Sequence, residues 1–145
     1  CHWIGEGKDP EYTNQFKFHE KQIPTNIKLV THGGLTKTEI KATLQKCSFF
    51  FLPTLGENFG HAIYEALASG KPSVIGSNTP FIDIVKHQAG FAVDATDTDL
   101  LTEKLQELLN LTDEKYHSTA QNARNFAKHE FNADEALKVY MDLWS

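Results

Sequence analysis

The segment from Ser48 to Pro53 is an almost continuous apolar run. Such a run is typical of a strand that is covered on both faces, and strands of this kind belong to parallel sheets with helices on either side. A polar loop follows the run. The pattern then changes to the 3.6-residue period of a helix that begins near Gly60 and ends at the Gly70-Lys71-Pro72 segment. This part of the chain therefore predicts a strand, a loop and a helix of an α/β fold.

The same alternation of strands and helices extends along the chain. Strands are predicted at 2–5, 27–31, 48–53, 73–75 and 91–93. Helices are predicted from Asp9-Pro10 to before Pro24, from a cap at Thr36 or Thr38 to about Lys46, from Gly60 to Gly70, over 80–85, over 98–109, and in two further helices, the last over 133–144. This alternation predicts a parallel sheet with helices on both faces.

The spacing of apolar residues within these helices predicts the core. The helix after Gly60 is predicted to bury Ala62, Ile63, Ala66 and Leu67. The helix over 98–109 is predicted to bury Leu101, Leu105, Leu108 and Leu109, and the last helix Leu137, Tyr140, Met141 and Trp144. Cys47 is expected to be a small core residue, since it lies where a helix gives way to a buried strand.

Length and composition narrow the class of protein. A chain of 145 residues with 40% hydrophobic and 23% charged residues is typical of one globular domain. The formal net charge of −5 argues against nucleic acid as a partner. The sequence contains neither an 18-residue apolar run nor a signal peptide pattern, so the expected location is the cytoplasm. Two cysteines exclude a disulfide framework, and the histidines show no metal-ligand spacing.

The loop after the apolar strand is the candidate functional site. Ligands of open parallel sheets bind at the carboxyl ends of the strands. The free N–H groups and the positive dipole end of the helix near Gly60 would face a ligand there, and they suit phosphate. Glu57 lies before this helix and Glu65 lies more than a turn inside it, and eight helical residues span about 12 Å. Two carboxylates so placed reach different hydroxyl groups of one extended ligand, and a nucleotide sugar has that shape.

Glu57 and Glu65 are separated by seven residues, and the first begins the sequence Glu-Asn-Phe-Gly-His. Together they resemble the E-x7-E motif of family 4 glycosyltransferases. The resemblance covers nearly the whole chain. Residues 26–33 and 38–40 resemble the strand, glycine loop and helix before the motif, and residues 70–75 with 79–80 resemble the strand and loop after it.

The resemblance implies a domain organisation. Residues 1–145 are expected to be the C-terminal, nucleotide-sugar-binding half of a GT-B glycosyltransferase, a Rossmann-like domain without its first strand and helix and without the N-terminal acceptor domain. In the family, that first strand and loop carry a Gly-Arg and a Lys for the diphosphate, whereas the only basic residue before Lys17 here is Lys8. We therefore expect this chain alone to be inactive and to bind donor weakly. Strand edges left unpaired would either close up or pair in a dimer of this chain.

The resemblance also implies roles for individual residues. Glu57 is expected to approach the donor sugar hydroxyls near the reacting carbon, as the catalytic residue, and Glu65 to accept hydrogen bonds from the ribose. Asn58, Phe59, Gly60 and His61 are expected to bind phosphate or sugar through backbone N–H groups. Gly33 and Gly34 are expected to let the backbone approach the nucleotide base. The expected substrate is a nucleotide-diphosphate sugar, and neither a metal nor a cofactor is expected.

The implied activity is that of a retaining glycosyltransferase of the hexosyltransferase type, acting on an acceptor hydroxyl in glycan or polysaccharide biosynthesis. The full-length protein is expected in the cytoplasm or at the inner face of the membrane. Two alternatives remain open: a non-catalytic nucleotide-sugar-binding module, and an enzyme of the same architecture such as a nucleotide-sugar epimerase. The spacing of Glu57 and Glu65 argues against the epimerase.

Each candidate residue also has a purely structural interpretation. Glu57 and His61 would then be solvated surface residues, Glu65 would pair with Lys71, and Gly33-Gly34 would be a plain turn. For Thr79 and Pro80 the structural interpretation, a helix cap and a first-turn proline, is favoured over a place in the site. Gly5-Glu6-Gly7 lacks the third glycine of a dinucleotide-binding motif.

Overall fold

The computed structural model describes residues 1–5 and 10–130. The strands are β1 (His2–Ile4), β2 (Val30–His32), β3 (Phe50–Leu52), β4 (Ser73–Gly76) and β5 (Gly90–Val93). The helices are α1 (Pro10–Glu20), α2 (Lys37–Lys46), α3 (His61–Ala68), α4 (Thr98–Leu109), α5 (Asp113–Glu130) and a 3₁₀ helix (Ile82–Ile84). Every strand pair among these residues is parallel, which confirms the predicted α/β fold.

The chain divides into two compact units, Cys1–Cys47 and a second unit that begins at Ser48. In the first unit β1 pairs with β2, with His2 opposite Val30. Helix α2 begins with a capping box, in which the Glu39 carboxylate accepts from the Thr36 N–H at 2.8 Å and the Glu39 N–H donates to the Thr36 hydroxyl at 3.3 Å. This box explains why the helix is capped by Thr36 rather than by Thr38. Strand β2 begins three residues later than the predicted start at Ile27.

The second unit contains a three-stranded parallel sheet in the order β3-β4-β5. Phe51, Val74 and Phe91 lie side by side across it. Because successive residues of a strand point to opposite faces, Val74 and Ile75 of the central strand enter different cores. The central strand is fully buried, as expected for a parallel strand covered on both sides.

One core lies between the sheet and helices α3 and α5, and it also contains the 3₁₀ helix. Its buried members are Ile63, Leu67, Ile75, Phe81, Ile84, Ala89, Ala123, Phe126 and Ala127. The other core lies between the opposite face of the sheet and α4, and its buried members are Val74, Val93, Leu101 and Leu108. The predicted helices on both faces are therefore present in this unit.

Some predicted core positions are wrong. Ala62 is exposed, and Leu109 is 61% exposed. Helical geometry accounts for both errors. Ala62 lies about 100° around its helix from the buried Ile63, and Leu109 lies about 100° from the buried Leu108. Leu105 and Cys47 are half-buried rather than buried. Phe51 is 44% exposed because β3 is the outer strand of its sheet, so the predicted cover on both faces does not extend to this residue.

The predicted last helix over 133–144 lies outside the described residues. None of the helices within residues 1–5 and 10–130 is long and apolar enough to cross a membrane.

Two histidines face each other across the strands of the first unit, and they predict a pH dependence of its stability. Nδ1 of His2 lies 3.0 Å from Nε2 of His32. Desolvation lowers the pKa of His2 below 6.5, and the positive charges of His32, Lys46 and Lys28 lower it further. The folded pKa therefore lies below the unfolded one. The contribution of neutral His2 to the stability of the folded unit is complete above about pH 6.5. It is lost as the pH falls from there through the folded pKa.

We predict that the protection factor of the Val30 amide, which donates to the Cys1 carbonyl at 2.9 Å, falls between pH 7.5 and pH 5. The fall should be smaller in His2→Gln, because that variant has lost the titrating ring. Hydrogen exchange followed by NMR measures both. An identical pH dependence in the two proteins would contradict the assignment.

Candidate functional site

The candidate site is the loop between β3 and α3 together with the first turn of that helix. Gly60 is the N-cap residue, with φ 62° and ψ 35° in the left-handed region, and no side chain caps the helix. Glycine adopts this conformation at little cost. The first N–H groups of an α-helix have no partner within the helix. The start of α3 therefore carries backbone N–H groups without a side-chain cap, and phosphate binding there stays a prediction.

The site loop lies against the loop that follows β4. A Cβ on Gly76 would lie 1.9 Å from the Thr54 carbonyl oxygen, so the two backbones touch where only glycine fits. The Glu57 N–H donates to the Asn78 carbonyl at 3.2 Å, and the Asn78 side-chain amide donates to the Leu55 carbonyl at 3.1 Å. These contacts fix the loop next to Gly60.

Four residues that hold this loop, Thr54, Gly56, Gly76 and Asn78, were not predicted from the sequence. The Thr54 hydroxyl donates to the Gly56 carbonyl at 2.8 Å and accepts from the Gly56 N–H at 3.3 Å. The sequence carried one usable signal, the glycine at the end of β4. A glycine in a strand often marks a close approach of another backbone, although it does not say which one.

Both candidate carboxylates are half-buried. Glu57 lies beside the helix start, with its Cγ 3.5 Å from the position that a Cβ on Gly60 would take. Glu65 lies on α3 four residues after His61, so these two side chains share a face of the helix. The ion pairs among the described residues do not include Glu57 or Glu65.

Phe59 and His61 form a small exposed aromatic pair at the same helix end. Their ring centroids are 5.9 Å apart and their planes differ by 10°. Phe59 is 73% exposed, and Asn58 and His61 are exposed as well. Residues 57–61 thus bring a carboxylate, an imidazole and an open helix end together in one short segment.

Three further candidates, Gly33, Gly34 and Thr79, come from other parts of the sequence. Gly33 and Gly34 are exposed residues of the first unit, between β2 and α2, and neither has a positive φ. Their predicted role in base binding stays a prediction. The structural interpretation of Thr79 as a helix cap is wrong, since the 3₁₀ helix has Phe81 as its N-cap residue and no side-chain cap. The Thr79 hydroxyl is buried and has no hydrogen-bond partner among the described residues.

The groups at this site suit a ligand with both anionic and hydroxyl parts. Backbone N–H groups at a helix start attract phosphate, and carboxylates accept hydrogen bonds from hydroxyls. Within residues 1–5 and 10–130 no group of three or more His, Cys, Asp or Glu side chains is placed to hold a metal ion.

The amino-acid sequence is similar to those of known glycosyltransferases along most of its length. The family model described as glycosyl transferases group 1 matches residues 1–126. An uncharacterized glycosyltransferase of Methanocaldococcus jannaschii is 28% identical over 146 residues, which cover 97% of this chain and 40% of that protein. The chain thus spans less than half the length of this curated relative.

Solved structures show the same fold. Staphylococcus aureus TarM, crystallised as a mutant with fondaparinux, alpha-GlcNAc-glycerol and UDP, has a TM-score of 0.82 at 18% identity, covering 99% of this chain and 28% of that one. A glycosyltransferase from Rickettsia africae has a TM-score of 0.81 at 18% identity, covering 99% and 38%. The C-terminal domain of a group 1 glycosyl transferase from Francisella tularensis has a TM-score of 0.73 at 18% identity, covering 87% and 65%. The predicted family and GT-B fold are confirmed.

Glycines at the two ends of α3 provide a matched test of the open helix start. Gly60 and Gly70 both have positive φ, 62° and 71°. A Cβ on Gly60 would lie 2.7 Å from the buried Phe81 ring, whereas a Cβ on Gly70 would meet only the end of the exposed, flexible Arg124 side chain. We predict that Gly60→Ala lowers the free energy of unfolding by about 1–3 kcal/mol more than Gly70→Ala, because overpacking adds to a left-handed strain of about 1–2 kcal/mol common to both.

Urea denaturation of the two variants measures this difference. Equal losses in Gly60→Ala and Gly70→Ala would show that the ring of Phe81 does not fix the helix start.

Proposed function

The chain belongs to the glycosyl transferases of group 1, and on that premise we propose that it is the donor-binding domain of a retaining glycosyltransferase. Its substrate would be a nucleotide-diphosphate sugar, and the sugar would pass to an acceptor hydroxyl bound by another domain of the full-length protein. The observation that carries the proposal is the uncapped, left-handed start of α3 at Gly60, with half-buried carboxylates before and within the helix.

The diphosphate would bind at the start of α3. Negative charge develops on the leaving diphosphate as its bond to the sugar breaks, and fixed N–H dipoles aimed at that charge stabilise the transition state more than the ground state. Gly60 supports this role because it lets the chain enter the helix in a left-handed conformation without a capping side chain. The exposed imidazole of His61 would add a further donor to phosphate.

The carboxylates would hold the two ends of the donor. Glu57, beside Gly60, would accept hydrogen bonds from the sugar hydroxyls near the reacting carbon and orient the ring for transfer. Glu65, one helical turn beyond His61, would accept hydrogen bonds from the ribose hydroxyls. A half-buried carboxylate loses part of its hydration, and the hydroxyl groups of a donor would replace those hydrogen bonds.

We propose that the helix dipole, together with basic side chains, offsets the charge of the diphosphate, and that the transfer needs neither a metal ion nor a cofactor. The acceptor would belong to a glycan or polysaccharide pathway, and the full-length enzyme would work in the cytoplasm or at the inner face of the membrane. Gly33 and Gly34 would approach the nucleotide base.

Carboxamide variants of the full-length enzyme test the proposal. Glu57→Gln should lower kcat by about 100-fold, a loss comparable to that of one transition-state hydrogen-bond donor. Glu65→Gln should raise the KM for donor by about 10-fold to 100-fold with a smaller change in kcat, because it weakens charge-assisted hydrogen bonds to the ribose. Steady-state kinetics with the best donor from a panel of UDP, GDP and ADP sugars measures both.

The control is Glu114→Gln, a change of an exposed carboxylate in the first turn of α5, which should leave both constants unchanged. Full turnover in Glu57→Gln would contradict a catalytic role for this residue, whereas no turnover by the unaltered full-length protein with any donor would favour the non-catalytic binding module.

A further inference from the structure

The loop that carries Glu57 has few buried side chains of its own. Leu55 is 75% exposed, Phe59 is 73% exposed, and Gly56 and Asn58 are exposed too. Hydrophobic burial therefore contributes little to the position of this loop. Its order must come from hydrogen bonds and from backbone contacts with its neighbours.

Asn78 supplies such bonds on both sides of Gly56. Its backbone carbonyl accepts from the Glu57 N–H at 3.2 Å, and its side-chain Nδ2 donates to the Leu55 carbonyl at 3.1 Å. A Cβ on Gly56 would lie only 3.2 Å from the same Nδ2 atom. The Asn78 side chain thus lies directly against Gly56, and its two bonds fix the residues before and after it.

Asn78 is itself held in place. It follows Gly76, whose close approach to the Thr54 carbonyl joins the two loops at their base. The Ser77 N–H donates to the Val93 carbonyl of β5 at 2.8 Å. Ser77, the residue before Asn78, is therefore hydrogen-bonded to the sheet. Asn78 in turn holds the Glu57 backbone at a fixed position relative to the sheet.

We propose that Asn78 is a positioning residue for the transfer reaction: it sets the backbone of Glu57 and thereby aims the carboxylate at the donor sugar. This inference rests on the proposed role of Glu57. Asn78 does not need to touch the substrate. Its contribution is pre-organisation of the loop, which matters because a misplacement of about 1 Å at a reacting group can cost about 100-fold in rate.

The chemistry of the side chain makes asparagine specific here. The bond to the Leu55 carbonyl needs an N–H donor, which Asn supplies. An aspartate of the same shape would present an oxygen to that carbonyl and place a second negative charge near Glu57. Asn78→Ala removes the bond, and Asn78→Asp replaces it by repulsion, so the aspartate variant should be the more severe of the two.

The chain contains a matched control. The Asn122 side-chain Nδ2 donates to the Gln88 carbonyl at 3.3 Å, which is the same kind of bond at a place far from Glu57 in the sequence and in a different pair of elements. Asn122→Ala removes an equivalent hydrogen bond without touching the site loop.

The experiment combines hydrogen exchange and kinetics on the full-length enzyme. In Asn78→Ala, exchange of the segment 54–58 should rise by about 5-fold to 10-fold, the effect of one lost hydrogen bond. The kcat should fall at least as much, with little change in the KM for donor. Asn78→Asp should exceed both effects, and Asn122→Ala should show neither. Because the loop is exposed, the thermal midpoint of Asn78→Ala should stay close to that of the unaltered enzyme, which separates positioning from loss of fold.

The outcomes distinguish this inference from the proposed function. If turnover is lost in Glu57→Gln but retained in Asn78→Ala and Asn78→Asp, the positioning role is overturned and the proposed function stands. If exchange of 54–58 is unchanged in both Asn78 variants, the positioning role is likewise overturned. If Glu57→Gln keeps full turnover, the proposed role of Glu57 fails, and the inference fails with it; if the unaltered enzyme transfers no sugar, the proposed function fails.

Discussion

The site depends on one contact between two backbones, the approach of Gly76 to the carbonyl of Thr54. Each residue follows or ends one of two neighbouring parallel strands, and a single methyl group at Gly76 would lie 1.9 Å from that oxygen. At this point the two loops lie closer together than a side chain on residue 76 allows. This contact brings the loop of Glu57 against the loop of Asn78 and so sets where α3 begins.

The short helix α3 derives its stability from packing. A helix of eight residues is marginal in water on its own, but Ile63, Ala66 and Leu67 are fully buried. Phe81 serves both the core and the site: its ring packs against Phe126 of α5, with centroids 6.4 Å apart, and it also closes over Gly60. The start of α3 is thus supported by an aromatic contact of the core.

Much of the fold could be predicted from the sequence, because the signals lie within single helices and strands. Helix α4 was predicted with its observed bounds, because Asp97 caps it and its leucines recur at helical spacing. The start of α2 was predicted as a cap at Thr36 or Thr38, and the capping box of Thr36 with Glu39 decides between them. The errors at Ala62 and Leu109 arose where apolar residues flank a buried stripe without belonging to it. The late start of β2 arose because Ile27, although β-branched, is 49% exposed and lies before the paired residues.

The candidate site was only partly predictable. Glu57, Gly60 and Glu65 were found from the pattern of an acidic loop before a helix and from a family motif. Asn78 and Thr54 were missed because their roles depend on which loop lies beside which, and Ser-Asn-Thr-Pro reads as an ordinary turn.

The central claim is that the amides at the start of α3 bind the diphosphate of a nucleotide sugar. The most direct test is an NMR titration of backbone amide shifts with UDP, GDP and ADP against the matching nucleosides. The account predicts that the amides of Gly60 and His61 shift with a nucleoside diphosphate and not with its nucleoside; diphosphate-dependent shifts confined to other parts of the chain would contradict it.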